Sequence, residues 1–169
     1  IGEVTGEAAR ETGLLAGTPV ICGGGDGSCA GVGVGCVAPG NAYNYLGSSS
    51  WVALTVEKPI VDEQRRTMNW AHVVPGMLHP SGTMQAAGSS YNWMINQLCQ
   101  NERTLAAQSG RSVFELIDEQ IISSPIGANK LLFLPYMLGE RTPRWNVDAK
   151  GAFIGLTLGH THGDMLRAV

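Results

Sequence analysis

The sequence predicts an α/β protein, because strand-like segments alternate along the chain with segments that carry helix signals. Residues 19–22 form a short β-branched run typical of a buried strand, and this run stops in three consecutive glycines. The small residues at 27–35 then indicate a closely packed helix. Residues 42–46 and 51–56 are strand-like runs joined by the polar segment 47–50, which predicts a hairpin with a hydroxyl-rich tip.

Caps, apolar spacing and turn residues predict the other elements. Gly13 ends a first helix over residues 7–12, and the Ala-Pro-Gly-Asn segment at 38–41 marks a domain boundary. Serine and glutamate at the two ends of segment 112–115 form a capping box that opens a further helix. Further strands are predicted over residues 72–75, 82–87, 131–134 and 151–156.

Helical spacing of apolar residues predicts which faces enter the core. A helix over residues 89–98 and the helix opened by the capping box each carry such a face, and a last helix is capped by Thr161 and Asp164. The predicted core residues of the first two helices are Tyr91, Met94, Ile95 and Leu98, and Val113, Leu116, Ile117 and Ile121.

Composition and charge exclude several classes of partner. The net charge is −3 and only 15% of the residues are charged, so no basic stripe could neutralise a phosphate backbone. The longest apolar run, residues 131–138, is short and contains Pro135. We therefore expect neither nucleic acid nor a membrane as a partner. The chain lacks an initiator methionine and ends without a helix stop signal, which predicts a piece of a larger protein.

The cysteines have neither the spacing of a zinc site nor the density of a disulfide scaffold. They are Cys22, Cys29, Cys36 and Cys99. We expect reduced and mostly buried thiols in a cytoplasmic protein. Cys29 and Cys36 lie seven positions apart, which predicts that both pack on one face of the helix after the glycines. His160 and His162 do not share a helix face, so no metal site is predicted there.

Asp26 is the strongest candidate for chemistry, because it directly follows the glycine-rich turn at the start of a predicted helix. Glycines admit backbone angles and close approaches that a side chain would forbid, so a ligand can come near this carboxylate. The position suits a general base. An N-cap role is the alternative, since aspartate is one of the preferred N-cap residues.

The same turn also matches a dinucleotide-binding fingerprint. The residues from Gly25 to Ala30 fit the pattern G-x-G-x-x-A between a predicted strand and a predicted helix. A Rossmann unit would have an acidic residue about 20 positions later, whereas none occurs between Asp26 and Glu57. A carboxylate inside the turn would also repel a pyrophosphate. A nicotinamide-dinucleotide domain therefore remains only the third hypothesis.

Two further motifs favour a phosphate ligand and a particular family. Ser48 lies at the tip of the predicted hairpin, where hydroxyls and backbone N–H groups can hold phosphate oxygens. Residues 134–143 read L-P-Y-M-L-G-E-R-T-P, and residues 148–157 read D-A-K-G-A-F-I-G-L-T. Together with the Gly-Gly-Gly-Asp turn, these segments resemble the FGGY family of carbohydrate kinases, and most closely its members that act on xylulose.

The resemblance implies roles for the residues of both turns. Asp26 would be the general base that accepts the proton of a sugar hydroxyl. Gly27 occupies the next substrate-binding position, where it replaces an amide residue of the family and removes that side-chain contact. Gly47 and Ser48 would contact the transferred phosphate. Ser48 replaces a threonine of the family and keeps the hydroxyl.

The nucleotide contacts implied by the resemblance lie in a third segment. Residues 87–93 (A-G-S-S-Y-N-W) resemble a family segment that touches ATP, which implies contacts from Gly88 and Asn92. A glycine at a helix N-terminus lets phosphate reach the free N–H groups. Helix capping and solvent exposure explain both residues equally well.

The resemblance also implies an actin-like, ribonuclease H-like ATPase fold, of which this chain would contain a part. Residues 1–36 would be the C-terminal tail of the first domain and residues 37–169 the N-terminal part of the second, with the active site between them. The implied reaction is phosphoryl transfer from ATP, with Mg²⁺, to a sugar hydroxyl. The metal ligands and the adenine pocket are expected outside this chain, so an isolated chain is expected to be inactive.

The expected partners are therefore a small-molecule sugar and ATP, with a homodimer as the expected assembly if the protein is oligomeric. The expected acceptor is a ketopentose such as D-xylulose, and ribulose, glycerol and gluconate are alternatives. A non-catalytic nucleotide-binding protein of the actin-like superfamily is a second function class. The carboxylate beside the phosphate turn argues against that class, because it suits an acceptor hydroxyl.

Overall fold

The computed structural model describes all residues, 1–169, and is a mixed α/β structure. Its strands are β1 (Gly2–Glu3), β2 (Pro19–Val20), β3 (Ala42–Leu46), β4 (Ser50–Leu54), β5 (Met68–Ala71), β6 (Leu78–Met84), β7 (Leu132–Leu134) and β8 (Ala152–Ile154). Its helices are α1 (Gly6–Thr12), α2 (Asp26–Gly33), α3 (Gly88–Leu98), α4 (Gln100–Ser109), α5 (Val113–Ser123) and α6 (His162–Ala168).

The central sheet is antiparallel and has the strand order β3-β4-β6-β5. The predicted hairpin is confirmed, because β3 and β4 pair from Ala42 opposite Leu54 to Leu46 opposite Ser50. Pro80 lies within β6 opposite Asn69 of β5, whereas β4 pairs only with the later residues of β6, from Ser81 onward. The hairpin tip and β6 together form one wall of the site described below.

Two strand predictions are displaced along the sequence. The strand predicted over residues 72–75 is wrong, because β5 ends at Ala71 and His72 turns inward. There the His72 imidazole lies 3.0 Å from the Cys36 carbonyl and accepts a hydrogen bond of 2.9 Å from the Val74 N–H. The strand predicted over residues 82–87 is β6, which ends at Met84 because its register follows its partner β4.

The predictions for the N-terminal segment hold only in part. β2 is a two-residue strand paired with β1, and Val20 is 44% exposed, so the predicted buried strand is wrong here. The prediction that Cys29 and Cys36 share a helix face is also wrong. α2 ends at Gly33, so Cys36 lies beyond the helix in a buried position, whereas Cys29 is exposed. Of the four free thiols, only those of Cys36 and Cys99 are buried.

The C-terminal part is organised around a small apolar core. The core consists of Met94, Ile95, Cys99, Ile117 and Leu166, with further apolar side chains packed against it. The predicted core faces of α3 and α5 are confirmed with one exception: Leu98 is 43% exposed, and Cys99 is buried in its place. None of the helices combines the length and the apolar composition needed to cross a membrane.

One helix was not predicted at all. α4 is a polar segment without an apolar stripe, and its buried residue is Glu102. The Glu102 carboxylate accepts a hydrogen bond from Gln120 of α5, which docks α4 onto its neighbour. α4 thus contacts α5 through a side-chain hydrogen bond rather than through an apolar face. Apolar spacing, which predicted the other helices, therefore gave no signal for α4.

Asp164 connects α6 to the loop after α5. It forms the predicted capping box with Thr161, and its Oδ1 accepts hydrogen bonds from Ser124 (2.6 Å) and Asn129 (2.9 Å). These bonds hold the carboxylate in a buried position, with 1% of the residue exposed.

We expect the stability contributed by Asp164 to depend on pH. Hydrogen bonds from the Ser124 hydroxyl first, and then from Thr161 and Asn129, lower the pKa of Asp164 from 3.8 to about 2. The pKa of Asp164 is lower in the folded state than in the unfolded state. The contribution of its carboxylate to the free energy of unfolding is therefore complete above about pH 4 and is lost as the pH falls through about 2.

Denaturant unfolding of wild type and Asp164→Asn at about pH 6, 4 and 2.5 measures this dependence. The stability difference between the two should shrink toward the lowest pH. Asp148→Asn, at an exposed position, is the control and should show no such trend. A difference that stays constant over the whole range would contradict the expectation.

Candidate active site

A polar cleft of about 530 Å³ lies between the N-terminal end of α2 and the central sheet. α2 contributes Asp26 and Gly27, the hairpin tip contributes Ser49, and β6 contributes Thr83. Arg141 lines the same cleft from the loop after β7. The cleft therefore contains one carboxylate and one guanidinium, brought together from distant parts of the sequence.

Asp26 is the first residue of α2 and is exposed to the cleft. Its Oδ1 accepts a hydrogen bond of 2.9 Å from the Gly27 N–H. The N-cap position itself is Gly25, so the alternative of Asp26 as the N-cap is wrong. Asp26 therefore lies at the positive end of the α2 dipole, with its side chain accessible from the cleft.

The sheet holds the start of α2 by side-chain hydrogen bonds. The Tyr43 hydroxyl on β3 donates to the Gly27 carbonyl at 2.5 Å, and the Ser28 hydroxyl donates to the Ala71 carbonyl at 2.7 Å. Gly27 is half-buried, and a Cβ placed there would lie 3.7 Å from the His79 imidazole. The turn that carries Asp26 is therefore anchored from β3 and β5.

The predicted phosphate turn, Gly47 and Ser48, lies against the first turn of α3. The Gly88 N–H donates to the Gly47 carbonyl at 2.9 Å, and the N–H groups of Ala87 and Ser89 donate to the Ser48 carbonyl at 2.9 and 3.1 Å. The expectation of free N–H groups at this helix N-terminus is therefore wrong for these three donors. These three N–H groups are bonded to the carbonyls of the hairpin tip, and the bonds fix the position of the tip on α3.

Gly88 is required by this contact. A Cβ on Gly88 would lie 2.6 Å from the Gly47 carbonyl oxygen, closer than side-chain carbons approach backbone atoms. Asn92 lies one turn further along α3 and is exposed. The predicted residues thus form two groups: Asp26 and Gly27 line the cleft, whereas Gly47, Ser48, Gly88 and Asn92 lie at the tip and on α3. Ser49 is the tip residue that lines the cleft.

Arg141 is the main cleft residue that the sequence interpretation missed. Its guanidinium donates twice to the side-chain oxygen of Gln85, at 2.9 and 2.7 Å, although the two residues are 56 positions apart. Buried Glu140 accepts the Arg141 N–H at 2.8 Å, and the Thr142 hydroxyl accepts the Thr83 N–H. The signal in the sequence was the charged pair Glu140 and Arg141 inside the motif at residues 134–143. The sequence analysis took this motif as evidence for the fold alone.

Two tryptophans of the cleft also escaped prediction. Trp70 is 51% exposed, and its indole N–H donates to the Ser81 hydroxyl at 3.1 Å, which fixes the ring. Trp51 stacks on Tyr45 with ring centroids 3.9 Å apart. Trp51 was treated as an ordinary strand residue, because alternation along a strand does not distinguish a face that binds a ligand from one that packs. Trp70 lay outside the predicted strands, although the structure places it on β5.

The other candidates from the sequence lie outside the cleft or lack support. His160 and His162 belong to no cluster of His, Cys, Asp or Glu side chains that could hold a metal ion. The dinucleotide hypothesis is not supported, because β2 before the fingerprint pairs antiparallel with β1, whereas the fingerprint belongs to a parallel βαβ unit.

Several known proteins are similar to this chain in sequence and in structure. The FGGY family of carbohydrate kinases, C-terminal domain, matches residues 42–169. A xylulose kinase from Staphylococcus epidermidis is 38% identical over 170 residues, covering 100% of this chain and 32% of the relative. A gluconokinase from Bacillus subtilis is 30% identical over 166 residues, covering 96% of this chain and 31% of the relative. The crystal structure of xylulose kinase from Rhodospirillum rubrum has a TM-score of 0.76 and 35% identity, covering 99% of this chain and 32% of that chain.

The chain therefore belongs to the FGGY family of carbohydrate kinases. The predicted α/β class with an actin-like ATPase fold is confirmed by the similarity to solved structures of this family. The chain spans about a third of the length of the relatives it matches, at 32% and 31% for the two named above.

Proposed function

We propose that the protein containing this chain transfers the γ-phosphoryl group of ATP to a hydroxyl of a ketopentose such as D-xylulose. One observation carries the proposal: the Asp26 carboxylate is exposed in a polar cleft of a chain that belongs to a carbohydrate kinase family. The names of two similar proteins, both xylulose kinases, favour D-xylulose over gluconate, glycerol or ribulose.

In the proposed reaction, the acceptor hydroxyl loses its proton to the Asp26 carboxylate while the hydroxyl oxygen forms a bond to the γ-phosphorus of ATP. The bond between that phosphorus and the bridging oxygen breaks, and ADP leaves. Arg141 supplies positive charge in the same cleft, where it would stabilise the negative charge on the phosphoryl oxygens. Gly27 would contact the sugar through its backbone alone, because it has no side chain.

For the nucleotide, we propose contacts from Gly47, Ser48, Gly88 and Asn92. The Ser48 hydroxyl is exposed while its carbonyl is held by α3, so the side chain can serve a phosphate oxygen. Besides this proposed contact, Gly88 lets the hairpin tip approach α3 closely. A Mg²⁺ ion would neutralise phosphate charge, and its ligands are expected outside this chain, which offers no cluster of metal-binding side chains.

We also propose the domain division made from the sequence. Residues 1–36 would complete one domain and residues 37–169 would begin a second, with substrates bound where α2 meets the central sheet. The matched range, 42–169, supports a boundary in this region. We place the enzyme in the cytoplasm, as one that acts on a small sugar and ATP and assembles, if at all, as a homodimer.

ADP release by the full-length protein tests the function. We expect release that depends on D-xylulose, with ribulose, glycerol and gluconate giving less, and no turnover by the isolated chain. A non-catalytic nucleotide-binding protein would instead bind ATP and release no sugar-dependent ADP. That outcome, with all four acceptors, would refute the proposal.

Ser48→Ala should weaken the use of ATP while leaving sugar binding intact. The carbonyl of residue 48 keeps its bonds from α3, so the turn persists and only the hydroxyl is lost. We expect the KM for ATP to rise by an amount corresponding to about 1 to 2 kcal/mol. Steady-state kinetics with both substrates varied measure it, with Ser109→Ala on α4 as the control. An equal rise in the KM for sugar would place the turn in the acceptor site instead.

A further inference from the structure

Tyr43 forms the only direct hydrogen bond from the hairpin to the turn that carries Asp26. Its hydroxyl donates to the Gly27 carbonyl at 2.5 Å. The same oxygen lies 3.0 Å from the Trp51 indole nitrogen and 3.2 Å from Nε2 of His79. Tyr43 is on β3, Trp51 on β4 and His79 on β6, so three strands converge on one hydroxyl.

The protons of this cluster can be assigned from its chemistry. A carbonyl cannot donate, so the single proton of the Tyr43 hydroxyl goes to Gly27. The indole of Trp51 can only donate, and it fills one acceptor position of the hydroxyl. The other acceptor position faces Nε2 of His79, which must then carry its proton.

The surroundings of His79 fit this assignment. His79 is buried, with 3% of the residue exposed, and burial first, then the nearby His72, lowers its pKa. The imidazole is therefore neutral at neutral pH, with one proton, on Nε2. Burial also raises the pKa of Tyr43, so its hydroxyl keeps the proton that Gly27 accepts.

We propose that Tyr43 is a positioning residue, which fixes the carboxylate of Asp26 relative to the hairpin tip by holding the Gly27 carbonyl. This inference rests on the proposed function. β3 carries Tyr43 and leads directly into Gly47 and Ser48, so one strand sets both the proposed base and the proposed phosphate turn. Hydrogen bonds in series strengthen each other, which stiffens the link.

Replacement of Tyr43 by phenylalanine should loosen this link without undocking α2. The bond from Ser28 to the Ala71 carbonyl remains, so the helix stays on the sheet. Misplacement of a reacting group by about 1 Å can cost on the order of 10²-fold in rate, so we expect a partial loss of about tenfold in kcat. Neither substrate contacts the hydroxyl in the proposal, so both KM values should stay within about twofold.

The test compares the full-length wild type, Tyr43→Phe and Tyr91→Phe with ATP and D-xylulose. Tyr91 is half-buried against the C-terminal core, so Tyr91→Phe makes the same chemical change away from the cleft and should leave kcat unchanged. Melting temperatures of the three proteins show whether the assays are made on folded material. The ¹⁵N chemical shifts of His79 should show the Nε2-protonated tautomer in wild type and a mixture in Tyr43→Phe.

A kcat for Tyr43→Phe within twofold of wild type would overturn the positioning role, as would a parallel rise in both KM values. Protonation of His79 on Nδ1 in the wild type would overturn the hydrogen-bond assignment and the role built on it. A wild-type protein without sugar-dependent turnover would overturn the proposed function, and the positioning role with it. The first three of these results leave the proposed function intact, which distinguishes failure of the positioning role from failure of the proposed function.

Discussion

Asp26→Asn in the full-length protein is expected to lower kcat by about 10²-fold or more. Asparagine has nearly the same shape, and its side-chain oxygen can still accept the Gly27 N–H, so the start of α2 is preserved. The substitution removes the negative charge and the basic lone pair that would accept the proton of the acceptor hydroxyl. The loss should therefore appear in turnover rather than in folding.

Initial rates at saturating ATP and sugar measure this loss, and calorimetric titration with ATP should show nearly unchanged binding. Asp118→Asn, at an exposed position on α5, is the matched control and should retain the wild-type rate. Activity of Asp26→Asn within threefold of the wild type would rule out its role as the general base.

Gly88→Ala is expected to displace the hairpin tip from α3. The added Cβ would lie 2.6 Å from the oxygen and 3.3 Å from the carbon of the Gly47 carbonyl. Both contacts are to backbone, which cannot rotate away as a side chain can. The tip must move and weaken its three hydrogen bonds from the backbone of residues 87–89, so we expect a loss of stability of about 1 to 3 kcal/mol.

The displacement should also raise the KM for ATP by about tenfold or more, because the proposed phosphate turn moves with the tip. Denaturant unfolding and steady-state kinetics measure the two effects. Gly6→Ala is the matched control: Gly6 also opens a helix, and its added Cβ would meet only the end of the Arg10 side chain, at 3.9 Å. Equal behaviour of the two variants would show that the close contact at Gly88 does not matter.

Much of the local structure could be predicted from the sequence, because it depends on residues that are near one another in the chain. Ser112 and Thr161 cap α5 and α6 as predicted, since a cap needs only a suitable side chain and the next turn of backbone. The predicted capping box of Ser112 with Glu115 is wrong, because the Ser112 hydroxyl accepts the Phe114 N–H and Glu115 pairs with Arg111 instead. The core faces of α3 and α5 follow from apolar spacing. The place of Asp26 at the start of α2 follows from the glycines before it.

The cleft itself could be predicted only in part. Asp26 and Gly27 were identified, but Arg141 was not, because its partner Gln85 lies 56 positions away. No local rule indicates which distant side chain a guanidinium will reach. The polar helix α4 was missed for a related reason, since the hydrogen bond that docks it comes from another helix.

The sequence by itself determined the family resemblance, the helix caps, the apolar faces and the identity of the candidate base, all of which follow from short-range patterns. The tertiary structure decided how those parts are used. In the folded chain, the N–H groups at the start of α3 donate to the carbonyls of Gly47 and Ser48. The Tyr43 hydroxyl donates to the Gly27 carbonyl in the turn that carries Asp26. The physical reason is that a buried polar group must find a partner, and only the folded chain determines which partner lies within reach.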